Sequence, residues 1–113
     1  SVPIVIGENM ERVKAYAKEH GLKAYRPWQK DNPDFATSMR RNKRWIQDQI
    51  RSGREIVDIG PDFERRKARI GAGKQPSSPF YNMERRNIAQ RNRPTTKAFE
   101  RTGKTSGKTK KCL

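Results

Sequence analysis

The chain has 113 residues, 31% hydrophobic against 35% charged, with a mean hydropathy of -1.18, which leaves room for one domain with a modest core and excludes two. No apolar run is longer than Ile4–Ile6, far short of the about 20 residues a helical span needs, and no signal-peptide core is visible, so no membrane span is expected. Lys and Arg total 27 against 12 Asp and Glu, a net charge of +15, and such a field attracts polyanions in a salt-dependent way.

In chain order, Val2–Ile6 reads as a β-rich apolar run. Met10, Val13, Tyr16 and Ala17 then recur at helical spacing, with Asn9 as N-cap and Gly21 as stop. Leu22–Tyr25 is a weak second strand, and Arg26–Thr37, with two prolines, reads as a loop. From Ser38, the spacing of Arg41, Trp45, Ile46, Gln49 and Ile50 predicts a second helix closed by Ser52-Gly53, and Glu55–Ile59 is the clearest strand. The order βαβαβ implies a small, three-stranded, mostly parallel α/β sheet with right-handed crossovers.

Asp62–Ile70 is a charged candidate for a third helix, and Gly71–Ser77 reads as a linker. Ser78-Pro79 places an N-cap before a proline at the first helical position, ahead of a helix with Phe80, Met83, Asn87 and Ile88 on one face, which Pro94 is expected to end. Residues 1–100 are expected to form the compact domain and 101–113 a flexible lysine-rich tail. The charge is uneven: residues 1–60 hold 12 basic and 8 acidic side chains, and residues 61–113 hold 15 and 4. Cys112 and His20 are each the single residue of their kind, which rules out a disulfide framework and a cysteine-based zinc site. The start at Ser1 fits a segment of a longer polypeptide, and equally removal of an initiator methionine.

Ligands of open α/β sheets gather at the carboxyl ends of the strands. That rule selects Gly7-Glu8-Asn9, Arg26-Pro27-Trp28 and Asp58-Ile59-Gly60-Pro61-Asp62. Glu8, Asp58 and Asp62 are candidates to hold a divalent metal or share acid–base work in phosphodiester cleavage, although Asn9 and Asp62 are equally ordinary helix caps. A second candidate is Tyr81, Glu84 and Arg85, on neighbouring turns of one helix, a set able to bind phosphate and move a proton without metal; the plain alternative is a core tyrosine beside a solvated ion pair. Neither a G-x-G-x-x-G fingerprint nor a P-loop occurs. Arg40, Arg41, Lys43 and Arg44, then Arg65, Arg66 and Lys67, with Arg86, form basic runs suited to phosphate contacts. Trp28 and Trp45 are candidates for base stacking, Trp45 being the more natural core residue.

Ile4–Val13, Arg41–Ile46, Gly53–Asp62, Ser78–Arg86 and Ala98–Lys104, in that order, resemble variable C-terminal toxin domains of RHS-repeat and related bacterial polymorphic toxins, over most of residues 3–103. The resemblance implies release from a large RHS-type carrier, secretion by the producer, action in the cytoplasm of a competitor cell, and neutralisation by a cognate immunity protein, which the charge of this chain would make acidic. Many such domains are nucleases, and DNA or RNA cleavage is the first expectation. A non-catalytic nucleic-acid or ribosome-binding protein and an NAD-dependent transferase toxin are the alternatives.

Overall fold

The structure is a computed structural model, and it describes residues 1–99. The elements are β1 (Ile4–Ile6), α1 (Met10–His20), β2 (Lys23–Ala24), α2 (Phe35–Arg51), β3 (Ile56–Asp58), α3 (Phe63–Gly71), α4 (Pro79–Gln90) and β4 (Thr96–Lys97). All neighbouring strands are parallel, in the order β2-β1-β3-β4.

The expected α/β class is observed, with four strands where three were expected. β4 is a two-residue polar edge strand, exposed along its length, so no apolar alternation announces it. It exists because β3 offers an open edge: the Ala98 amide donates to the Asp58 carbonyl at 2.9 Å, and Thr96 Oγ1 donates to Glu55 Oε2 at 3.0 Å. The boundaries also move. α2 begins at Phe35, inside the stretch read as loop, because the Asp34 side chain caps it by accepting from the Thr37 amide at 2.8 Å. α4 ends at Gln90, before Pro94 can act. The expected tail at 101–113 lies outside the described residues.

Strand parity divides the core into two layers. Ile4, Ile6 and Ile56 point to one face and meet Ile46 and Ile50 of α2 and Tyr81, Met83 and Ile88 of α4. Val5, Val57 and Ile59 point to the other and meet Val13 and Ala17 of α1. Right-handed crossovers require this division: the connection from β1 to β2 runs in the opposite direction across the sheet from those to β3 and β4, so α1 lies opposite α2 and α4. Asp58 has the parity of Ile56, so its carboxylate points under α2 and α4, with 0% exposure.

The sheet order places the carboxyl ends of β1 and β3 side by side. Arg12 fastens them, its guanidinium donating to the carbonyls of Glu8, Gly60 and Ile59 at 2.8 to 3.0 Å. Gly60 follows β3 at φ 77, a left-handed conformation in which a Cβ would also overlap the Phe99 ring.

Candidate active site

Among the described residues, three carboxylic acids are buried at this end of the sheet: Glu8, Asp58 and Glu84. Buried acids need partners, and the partners here define three different roles.

Glu8 is fully engaged. Oε1 accepts from the Asp62 amide at 2.9 Å and Arg66 Nε at 2.7 Å, and Oε2 accepts from Arg66 Nη2 at 2.9 Å and the Ser78 amide at 2.8 Å. Burial opposes its ionisation, but the Arg66 ion pair and the two amide donors outweigh that and hold its pKa below the usual carboxylate value. Glu8 therefore ties the loop after β1 to the starts of α3 and α4.

Asp58 is the meeting point of two groups from α4. Tyr81 Oη donates to Oδ1 at 2.8 Å, as does the Gly60 amide at 2.8 Å. Arg85 Nη1 lies 3.1 Å from Oδ2, within ion-pair distance but off the line of a hydrogen bond. Burial, followed by the Asp58 charge and the bond to it, pushes the Tyr81 hydroxyl far above its ordinary value, so Tyr81 is a fixed donor. The two sets of candidates are thus interlocked: Tyr81 and Arg85 converge on Asp58, and Glu84 stands apart from them.

Glu84 has a single partner among the described residues, Asn42, whose Nδ2 donates to Oε2 at 2.9 Å. Burial, with the Asp58 charge adding to it against the Asn42 bond, pushes its pKa up to about 8. At neutral pH this carboxyl is mostly protonated, and Oε1 has no partner among the described residues. It lies in the wall of a cavity of about 440 Å³ beyond the ends of β1 and β2, lined also by Tyr25, Ser38, Asn42, Ser78, Phe80 and Tyr81. The size is within the about 300–1,000 Å³ of small-molecule sites. The Ser78 cap and Pro79 at the first turn fix the helix that carries Glu84.

The expected metal set of Glu8, Asp58 and Asp62 is not an open cluster. Glu8 and Asp58 are engaged as above, while Asp62 caps α3 through the Arg65 amide and accepts from Asn9 Nδ2 at 2.9 Å. Among the described residues no three His, Cys, Asp or Glu side chains converge on a point where a metal ion could sit. Nor is every basic residue free to touch phosphate. Arg66 is paired with Glu8, and Arg41 bonds Asp31 at 2.6 and 3.2 Å and reaches the Trp28 carbonyl, pinning the loop before α2. Arg40, Lys43, Arg44, Arg65, Lys67 and Arg86 are exposed, and Arg65 also lines the cavity. Trp28 is 60% exposed and Trp45 packs on the core.

Changing Arg40, Lys43 and Arg44 together to Ala is expected to lower the slope of log K against log salt for single-stranded nucleic acid by about 2, at about 0.7 per lost phosphate contact. Filter binding over a salt series reads this, and an unchanged slope removes α2 from the contact surface.

Sequence reasoning missed Arg12, Asn42 and Tyr25. For Asn42 a signal existed: it lies three and four residues before Trp45 and Ile46, so it shares their apolar face, where a polar side chain needs a buried partner.

Fold and site define an open parallel α/β domain with a partly open cavity, walled in part by Glu84, beside the switch point of its sheet. Compared with known proteins, the chain matches no family model, no curated protein and no solved structure. Among the described residues no helix is long and apolar enough to cross a membrane.

Proposed function

We propose that this chain is an antibacterial effector toxin domain that acts enzymatically on nucleic acid, taking one nucleotide unit into the cavity beside Glu84. The supporting observation is a buried carboxyl, its pKa pushed up to about 8 and one oxygen without a partner among the described residues, in the wall of a cavity of small-molecule size on a chain of net charge +15. Enzymes that work on a base extrude it from the stack into such a pocket, while basic side chains track the backbone. On this reading, and on the resemblance to RHS-type toxin domains, the domain is carried by a larger secreted polypeptide, acts in the cytoplasm of the target cell and is held in check by an acidic immunity protein. The sequence-based expectation of a nuclease belongs to this proposal. A second reading, a toxin that uses a free nucleotide such as NAD, is favoured by the volume of the cavity, about 440 Å³, which is of small-molecule size.

Induced expression in bacteria, with separate inspection of DNA, tRNA, rRNA and nucleotide pools, tests the proposal. Growth arrest with damage to one nucleic-acid pool is expected, and Glu84→Gln should restore growth while the protein still folds and binds nucleic acid. Loss of a free nucleotide pool alone selects the second reading. Full toxicity of a folded Glu84→Gln variant removes Glu84 from the chemistry.

A further inference from the structure

Resting on the reading of the cavity as a nucleotide site, we infer that it receives the base and sugar of the nucleotide and that the bond broken there is the N-glycosidic bond. The wall of the cavity carries the first part. Apart from Glu84, its charged side chains are the exposed Glu11 and Arg65, and the rest is aromatic, aliphatic or neutral and polar: Tyr25, Phe80, Tyr81, Asn42 and Ser38. A phosphate requires several cations or converging amide donors, whereas a base requires flat apolar walls and a few hydrogen-bonding groups. The wall also includes the starts of α1 and α4, but Asn9 accepts from the Glu11 amide, Ser78 accepts from the Tyr81 amide and Glu8 accepts from the Ser78 amide, so the phosphate is placed outside, on the side of Arg65.

Electrostatics carry the second part. Phosphodiester cleavage builds negative charge on phosphate oxygens and needs cations at the reacting centre. The two arginines nearest the buried acids are turned to other work, Arg66 on Glu8 and Arg85 on Asp58. Glycosidic cleavage builds positive charge on the sugar ring, in an oxocarbenium-like transition state that a carboxyl group assists. Glu84, in the cavity wall with Oε2 held by Asn42 and Oε1 without a partner among the described residues, becomes the matching negative charge as its proton leaves.

The step balances with water as the co-reactant. As the C1′–N bond breaks, the Glu84 carboxyl gives its proton to the leaving nitrogen of the base. The carboxylate then takes a proton from the water whose oxygen bonds to C1′. The products are a free base and a sugar that bears a hydroxyl at C1′, with the phosphodiester backbone intact and Glu84 protonated again. The raised pKa of Glu84 supports the donor role, since general acids work best with a pKa near the working pH.

The test incubates the purified full chain with tRNA and rRNA, with a single-stranded DNA oligonucleotide, and with ATP and GTP. It measures free base by liquid chromatography and mass spectrometry, and strand length on a denaturing gel before and after cleavage at abasic sites, by aniline at mildly acidic pH for the RNAs and by alkali for the DNA. Release of free base is expected, with strands that shorten only after treatment and at least a 100-fold lower rate for Glu84→Gln of unchanged fold. Release from the polymers alone identifies nucleic acid as the source, and release from ATP or GTP alone identifies the free pool. Strand breaks before treatment with no free base would overturn the inference and leave the nucleic-acid reading standing. A preparation that remains toxic to cells while every substrate stays intact would overturn both.

Discussion

Glu84→Gln is expected to stabilise the protein at pH 8 and to flatten its stability between pH 5 and 8. With a pKa of about 8 when folded and 4.5 as the ordinary value, the folded chain holds a proton that the unfolded chain has released throughout that window. Stability then falls as pH rises, by up to about 1.4 kcal/mol per unit, and levels off above pH 8. The full range is on the order of 3–5 kcal/mol, and glutamine, which can still accept from Asn42 but never ionises, lacks it. The window belongs to Glu84. Glu8, Asp31, Asp34 and Asp62 are all shifted downward and act below their ordinary values, while Tyr81 is shifted upward and acts above pH 10. Urea denaturation of both proteins at pH 5, 6.5 and 8 measures the effect; parallel stability curves would mean that Glu84 is ionised or solvated in the fold.

Glu8→Ala is expected to cost about 3–5 kcal/mol, the magnitude for breaking a buried ion pair by removing one partner. The two amides of Asp62 and Ser78 lose their acceptor at the same time, at about 1–3 kcal/mol for each that stays dry. Against a total stability of about 5–15 kcal/mol for a domain, the variant sits near the edge of folding. Arg66→Met should cost less, because the guanidinium is 28% exposed and the carboxylate keeps both amide donors. Because the Glu8 pKa is depressed, its contribution is present above the ordinary carboxylate value and disappears as pH falls through the folded one, which places it on the acid limb. Thermal unfolding of the three proteins at pH 7 provides the comparison. A Glu8→Ala variant that keeps wild-type stability and loses activity would return Glu8 to the chemistry.

The two substitutions also separate roles that the residue types alone leave together. Glu8 and Glu84 are both buried glutamates at one end of one sheet, yet among the described residues one meets four donors that lower its pKa and the other meets one donor and has its pKa raised. The difference is the identity of the neighbours, two amides and a guanidinium against a single amide side chain.

Whatever depends on neighbours within a turn or along one strand is determined by the sequence itself. Asn9 and Gly21 bound α1, and Ser78-Pro79 begins α4, because a cap needs only residues two to five positions away. Ile4–Ile6 and Ile56–Asp58 are strands for their run of β-branched residues, and the alternation of strand and helix implies a parallel α/β sheet. The tertiary structure decided which charge meets which. Glu8 finds Ser78 across 70 positions and Arg66 across 58, Asn42 finds Glu84 across 42, and Tyr81 finds Asp58 across 23. Hydrophobic period cannot encode these pairings, since a carboxylate on a strand reads the same whichever helix covers it. They follow from the order β2-β1-β3-β4, which sets the ends of β1 and β3 together and brings α2 and α4 over the same face. The same order leaves the edge of β3 open, and an open row of amides and carbonyls made a strand of Thr96–Lys97, too short and too exposed to show an apolar alternation.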